Sequence, residues 1–395
     1  MRSWKALHNL IAVSANNAET AINTEQTLDT ALLVAESNLI TLEKKIETNE
    51  NELNGMEEPD ALYDLGSLSS ASLEFAKAQP QHFGFLLAYG LGDIATSAAG
   101  SGYQHVITPL DGEVDLSRSL PSFTAAQRLG KTVSKHLFAT MFVDSISAKF
   151  PRDGFVSLNG SLKGTGKHTT NVVEESLTAK DDATTITLAA NGVEGADDAT
   201  RLQNIHRIRA ELASGVWTEV DFSAASAATP SVITITAPGS GTVDVTYKVL
   251  YIAAESGWMT FPSMIQETPL RVTDVSFHLG GKYTVAGGFL GGRQLACEIN
   301  DIEYSLQNSM QTEMCLGGSG AYADRGFRDG RVQTLKVGRE YRDYIFQQTL
   351  NDNEILSAQI VAEGAEFDTG HKFYTPVRKR ITAANNFCIT ISIDL

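Results

Sequence analysis

The chain has 395 residues, a formal charge of −16, and 42% hydrophobic against 20% charged residues. At about 100–200 residues per domain, this length allows two or three domains with a sizeable core, and it excludes wholesale disorder or a fibrous repeat. An acidic chain is poorly suited to gripping phosphate backbones, where affinity comes from Lys and Arg. Cys297, Cys315 and Cys388 are too few and too widely spaced for a disulfide framework or a zinc cluster, and a reducing compartment is expected. No run approaches the ~18 apolar residues of a membrane span, and His8 and Asn9 interrupt the apolar start that a signal peptide would need.

Residues 1–60 form an acidic N-terminal arm in this reading. Leu28, Leu32, Ala35, Leu39, Leu42 and Ile46 fall at helical 4-3 spacing, which fits an amphipathic helix. The β-branched and Asn/Thr-rich content fits an extended arm lying on a neighbour instead, and periodicity does not choose between them. Next, Ala71, Leu73 and Phe75 alternate with Ser72 and Glu74, the pattern of a half-buried strand. Pro80 suits the first turn of a helix whose apolar face is Phe83, Leu86, Leu87, Gly90 and Leu91, with Gly90 or Gly92 as its stop.

From residue 120 strands dominate. "LPSFTAAQRLGKTVSKHLFATMFVDSISAKF" starts extended, turns on a glycine and then alternates, and "FPRDGFVSLNGSLKGTG" reads as a hairpin. Residues 170–262 have a different, turn-rich texture and are expected to be an inserted β-domain. Their strongest signal is "SVITITAPGSGTVDVTYKVLYIA", read as a long hairpin turning at "PGSG" with Val243, Val245, Tyr247, Val249 and Tyr251 on one face. In 263–395, Val275, Phe277 and Leu279 share a face ahead of a turn on two glycines. A parity change between Ile299 and Ile302 predicts a bulge at Asn300 and Asp301, and "FCITISIDL" alternates to the end.

Motifs that carry chemistry are near misses. "GSLKGTGKHTT" has Ser161 where a P-loop needs Gly, and His168 where it needs Ser or Thr. "GGSGA" at 317–321 has Ala321 where a nucleophile elbow needs Gly, so Ser319 is read as a loop residue. "DTGHKF" holds an Asp-Thr-Gly with no matching second lobe, so Asp368 is read as a turn residue. The basic "VRKR" at 377–380 is read as pairing with carboxylates, and the histidines lack ligand spacing. No catalytic, cofactor or metal site is expected, and the chain is not read as an enzyme.

The order of "ALYDLGSLSSASLEFAKAQPQHFGFLLAYGLGD", "GSGYQHVITPLDGEVDLSRSLPSFTAAQRLG", "ATMFVDSISAKFPRDGFVSLNGSLKGTG", "VTDVSFHLGG", "EINDIEYSLQNSMQ" and "GAYADRGFRDGR" resembles the tail tube (major tail) proteins of long-tailed bacteriophages. The resemblance covers roughly residues 60–170 and 265–395. It implies a mainly β fold, a sandwich or barrel with one flanking short helix, in segments 61–169 and 263–395 around the inserted domain 170–262. It further implies homo-oligomeric rings, expected to be hexamers, stacked into a tube in the virion tail. Implied partners are the tape measure, tail terminator and baseplate or tip proteins, with genomic DNA passing through the lumen unbound, and assembly in the host cytoplasm. Leu73, Phe75, Leu120, Phe123, Phe142, Phe150 and Phe277 are the candidate residues of the strands that build the tube. Trimming residues 1–60 is expected to leave folded monomers that do not polymerise, and some excess carboxylates are expected to line the channel. The inner tube of a contractile injection or type VI-like device is the structural rival. A β-modular carbohydrate-binding adhesin using Trp217 and Trp258 is the rival from another class.

Overall fold

A computed structural model of the chain describes residues 9–35, 39–50, 61–99, 102–110, 118–130, 134–264, 267–284, 288–295, 298–340, 348, 351–352, 357–366, 377–384 and 388–393. The protein is mainly β. Its first segment runs β1 (Leu10–Val13), β2 (Thr30–Leu32), β3 (Ile40–Thr48), β4 (Leu62–Phe75), α1 (Pro80–Leu91), β5 (Gly92–Ala99), β6 (Gly102–Pro109), β7 (Phe123–Leu129), β8 (Ser134–Pro151), β9 (Ser157–Gly164) and β10 (His168–Thr170). The alternation in β4 behaves as its sequence requires: Ala71, Leu73 and Phe75 are buried while Ser72 and Glu74 face solvent. Pro80 opens α1, where its missing N–H removes one donor that has no intrahelical partner anyway. Gly92 closes it at φ 100°, in the left-handed region open to glycine, its N–H bonding Ala88 O.

The last segment runs β18 (Val275–Thr284), β19 (Gly288–Leu290), β20 (Arg293–Gln294), β21 (Ile299–Gln307), β22 (Met310–Glu313), β23 (Arg325–Arg328), β24 (Val332–Arg339), β25 (Ser357–Glu366), β26 (Val377–Ala384) and β27 (Cys388–Ile393), after β11–β17 of the middle segment described below. One large sheet has the order β2-β1-β7-β8-β9-β4-β3, with β21 also on β8 and β24 on β21. A second has the order β19-β18-β25-β26-β27-β6-β5. Helix α1 packs with both. Phe83, Leu86 and Leu87 join Leu73, Phe75, Val143 and Ile146 from the first sheet and Ile107, Phe277 and Ile360 from the second in one buried cluster. The approach is close enough that a Cβ on Gly160 of β9 would lie 2.9 Å from both methyls of Leu86. Burial of these side chains contributes about 1.5–3 kcal/mol each.

Contact density divides the chain into two units. One holds residues 11–125, 138–167 and 263–395; the other holds 1–10, 126–137 and 168–262. The second contains β11 (Val172–Lys180), β12 (Thr185–Thr187), α2 (Asp198–Gln203), β13 (Ile205–Ala213), β14 (Val216–Glu219), β15 (Phe222–Ala225), β16 (Val232–Ile235) and β17 (Asp244–Ile252). Its sheets are β11-β17-β13-β14 and β12-β16-β15, enclosing a separate core of Ile208, Ile233, Tyr247, Val249 and Tyr251. Lys135 is buried in this unit, with its Nζ donating to Glu255 Oε2 (2.8 Å) and Met259 O (2.7 Å).

Four expectations are corrected. The helical spacing of residues 28–46 is not used: Thr30–Leu32 and Ile40–Thr48 are strands, and β1 and β2 supply the buried Ile11, Val13 and Leu32. Removing residues 1–60 would therefore open the core as well as remove an arm. The predicted 232–251 hairpin does not form, because β16 and β17 belong to different sheets. The "PGSG" stretch is a crossover held by the Asp181 carboxylate, which accepts from Gly241 N (3.1 Å) and Val243 N (3.2 Å), and Val243 is exposed. Gly280 and Gly281 do not turn the chain. They form a bulge within β18, with Gly280 at φ 87°. The bulge predicted near Asn300 is present, as a register shift between Ile299 and Asp301.

Candidate self-assembly surfaces

The near-miss motifs sit in non-catalytic surroundings. Residues 160–170 are a strand, a short loop and a second strand, with no helix following. Ser319 Oγ donates to Tyr322 O within a surface loop. Asp368 lies outside the described residues, and Val377–Arg380 is strand backbone paired with β25. Trp217 lies on the solvent face of its sheet, with Lys248 Nζ 4.8 Å and the Arg209 guanidinium 5.5 Å from the ring centre. Trp258 packs against the core of the same unit.

All seven candidate tube residues, Leu73, Phe75, Leu120, Phe123, Phe142, Phe150 and Phe277, are buried within the chain. Phe123 meets Phe85 and Tyr89 edge-on with ring centres 4.9 Å apart in both cases, and Phe75 stacks on His82. Leu73, Phe75, Phe123, Phe150 and Phe277 belong to the core cluster between the two sheets, and Leu120 and Phe142 pack with Met310 in a separate one. For Leu73, Phe75 and Phe150 the reason is the period-2 alternation, which sends large apolar groups to the covered face. Phe142, paired with Lys163, lies on the other face, packed against Gly326 and Met310.

The open face of this sheet is largely polar. Across β4, β9, β8 and β21 it presents Ser72, Ser161, Ser145 and Gln307 in one row, and Glu74, Asn159, Ser147 and Ser305 in the next. Carboxylates Glu43, Glu74, Asp301 and Glu303 are interspersed with Lys149, Lys163 and Lys336. The face is rich in hydroxyl and amide groups, with its lysines interspersed among the carboxylates and Lys163 paired to Asp144.

Two lateral edges border it. Among the described residues β3 has a ladder on one side only, to β4, and β24 on one side only, to β21. Along β24, Val332, Leu335 and Val337 are exposed. The β3–β4 hairpin continues past the last β9 partner, Gly164, and there Ile46, Leu62, Tyr63 and Leu65 are uncovered, Leu62 at 74% exposure. Unpaired edges with exposed aliphatic side chains are templates for another strand.

The base of this end is a polar clasp. Glu19 accepts from Thr140 N (2.7 Å), Thr140 Oγ1 (2.5 Å), Thr124 Oγ1 and Ser122 Oγ. Desolvation raises its pKa, opposed by these bonds and by Lys167. Thr140 holds φ 49°, a strained conformation for a β-branched residue, within this bonded surround.

The alternation of β24 is visible in "VQTLKV", but its position at a sheet edge is not. No protein-family model matches the chain, and no curated protein matches it.

Proposed function

We propose that the protein is a structural subunit that assembles with copies of itself into rings stacked as a tube, the tail tube of a long-tailed bacteriophage virion. The observation that carries this reading is that, among the described residues, one sheet has edge strands on opposite sides, β3 on one and β24 beside β2 on the other. Different strands at the two edges make a heterologous contact, which closes into a ring when the rotation allows, six copies by the family resemblance. Closure joins the sheets edge to edge as a barrel and turns their hydroxyl-rich face toward the lumen. Lysines on this face stand beside carboxylates, Lys163 with Asp144 and Lys336 with Glu303, which leaves a passing polyanion little to bind and suits DNA transit without capture. The Ser, Asn and Gln rows would then share that lining with the carboxylates Glu74, Asp301 and Glu303. Tape measure, terminator and baseplate proteins are the partners this role requires, and no catalysis or cofactor enters it. The inserted unit, with Trp217 on its solvent face, then decorates the tube.

Negative-stain microscopy of the purified protein tests the proposal. Hollow rods or stacked annuli are expected. A chain that stays single at high concentration refutes it.

A further inference from the structure

At the hairpin end of the central ladder, the loop 314–324 joins β22 to β23 and carries Leu316, a fully exposed aliphatic side chain. The loop is firmly held. The Asp324 carboxylate accepts from Cys315 N (2.9 Å) and Ser319 N (3.2 Å). Ala323 N donates to Thr165 O (2.8 Å), Ser67 N to Ala321 O (2.9 Å), and Asn23 Nδ2 to Ala323 O (2.9 Å). These bonds fix the backbone that presents Leu316, yet the side chain itself is fully in water. Preorganisation of this kind lowers the ordering cost of a contact with something else.

The opposite end of the same ladder carries a complementary feature. Between Met141, which pairs with Gly164 near the loop, and Pro151, β8 rises roughly 33 Å at the usual strand spacing. There a cleft of about 330 Å³ opens, floored by Phe150, Val275, Phe277 and Ile302, with Val272 and Arg152 also lining it.

The geometry points to a knob-and-socket contact between copies, in which Leu316 of one subunit enters the Phe150–Phe277 cleft of the next. The occupant is a second copy because an apolar knob and a cleft with an apolar floor, rimmed by Arg152, Asp153 and Asn300, stand at the two ends of one ladder. A contact between unlike patches along that axis cannot close on itself and repeats as an open stack. The inference rests on the self-assembly reading and adds to it the residues that give the stack its polarity.

Because the Leu316 side chain is fully in solvent, L316D leaves the melting temperature unchanged. Losing its burial raises the concentration needed for rods about tenfold or more, while L316M restores the parent's behaviour. In V272C, a bismaleimide joins Cys315 of one copy to the new thiol of the next and gives a ladder of covalent multimers beyond that of the parent. The ladder disappears in V272C/C315S. Rods from the parent, together with normal rods from L316D and no added ladder in V272C, overturn the contact while leaving self-assembly standing. A parent chain that never forms rods overturns both.

Discussion

Acidification is expected to weaken the fold through His82. This residue sits at the start of α1, fully buried, stacked on Phe75 with ring centres 4.2 Å apart. Its Nδ1 accepts from Gln79 N at 3.3 Å, and its Nε2 meets no polar partner. Burial therefore favours the neutral ring and lowers its pKa from 6.5 to about 4. Between those values the unfolded chain binds a proton that the folded chain refuses, so stability is full above about pH 6.5. It falls as the pH drops and levels off below about 4. A shift of about 2.5 units corresponds to about 3 kcal/mol across the window. H82F keeps a ring against Phe75 and removes the titration, at a cost of about 1 kcal/mol at neutral pH for the lost acceptor. Urea unfolding at pH 7 and pH 4.5, followed by circular dichroism, should show the parent losing about 2–3 kcal/mol more than H82F. Other titrating groups are common to both chains and cancel in this difference. Equal losses, or an imidazole titration by NMR placing His82 near 6.5, would refute the argument.

Packing and polar contacts yield further expectations. G160V forces a side chain into Leu86 at the helix–sheet contact, and a loss of about 1–3 kcal/mol should appear in thermal unfolding. N308A removes a fully buried amide whose Nδ2 donates to Gly90 O (2.9 Å) and Val143 O (3.1 Å); urea denaturation should register about 2–4 kcal/mol. E255A leaves the Lys135 ammonium with Met259 O alone, so unfolding followed by Trp258 fluorescence should show a stability lowered by about 1–2 kcal/mol. Replacing residues 173–251 with a short Gly-Ser turn should leave rods visible by microscopy, and their disappearance would remove the decorative role of the insertion.

Strands and helix are legible where local pattern and burial agree. Leu73 and Phe75 alternate because one face of β4 is covered, and Pro80 and Gly92 mark the ends of α1 by backbone chemistry alone. Residues 28–46 mislead because leucines three and four apart also occur by chance in a strand. Leu32 is buried and Leu42 packs against the same core, but Leu39 and Ile46 stand in solvent, so the stripe is not one continuous face. The "PGSG" stretch misleads for a different reason. Its path is set by Asp181, some sixty residues away, and no local propensity encodes that bond. Edge position is equally invisible, since alternation reports a pleated strand and says nothing of its neighbours. Leu335 and Val337 alternate as core residues would, yet β24 has nothing on its far side among the described residues. Leu316 stands beside a glycine-rich run, and only its full exposure on a tethered loop gives it meaning.

Val172 and Ile252 face each other across the first rung of the β11–β17 ladder. The middle segment therefore leaves and rejoins the chain at points one interstrand spacing apart, about 5 Å. Any foreign module whose own termini meet side by side can be spliced between them without rerouting the flanking polypeptide. This makes the position a ready socket for attaching enzymes, epitopes or dyes.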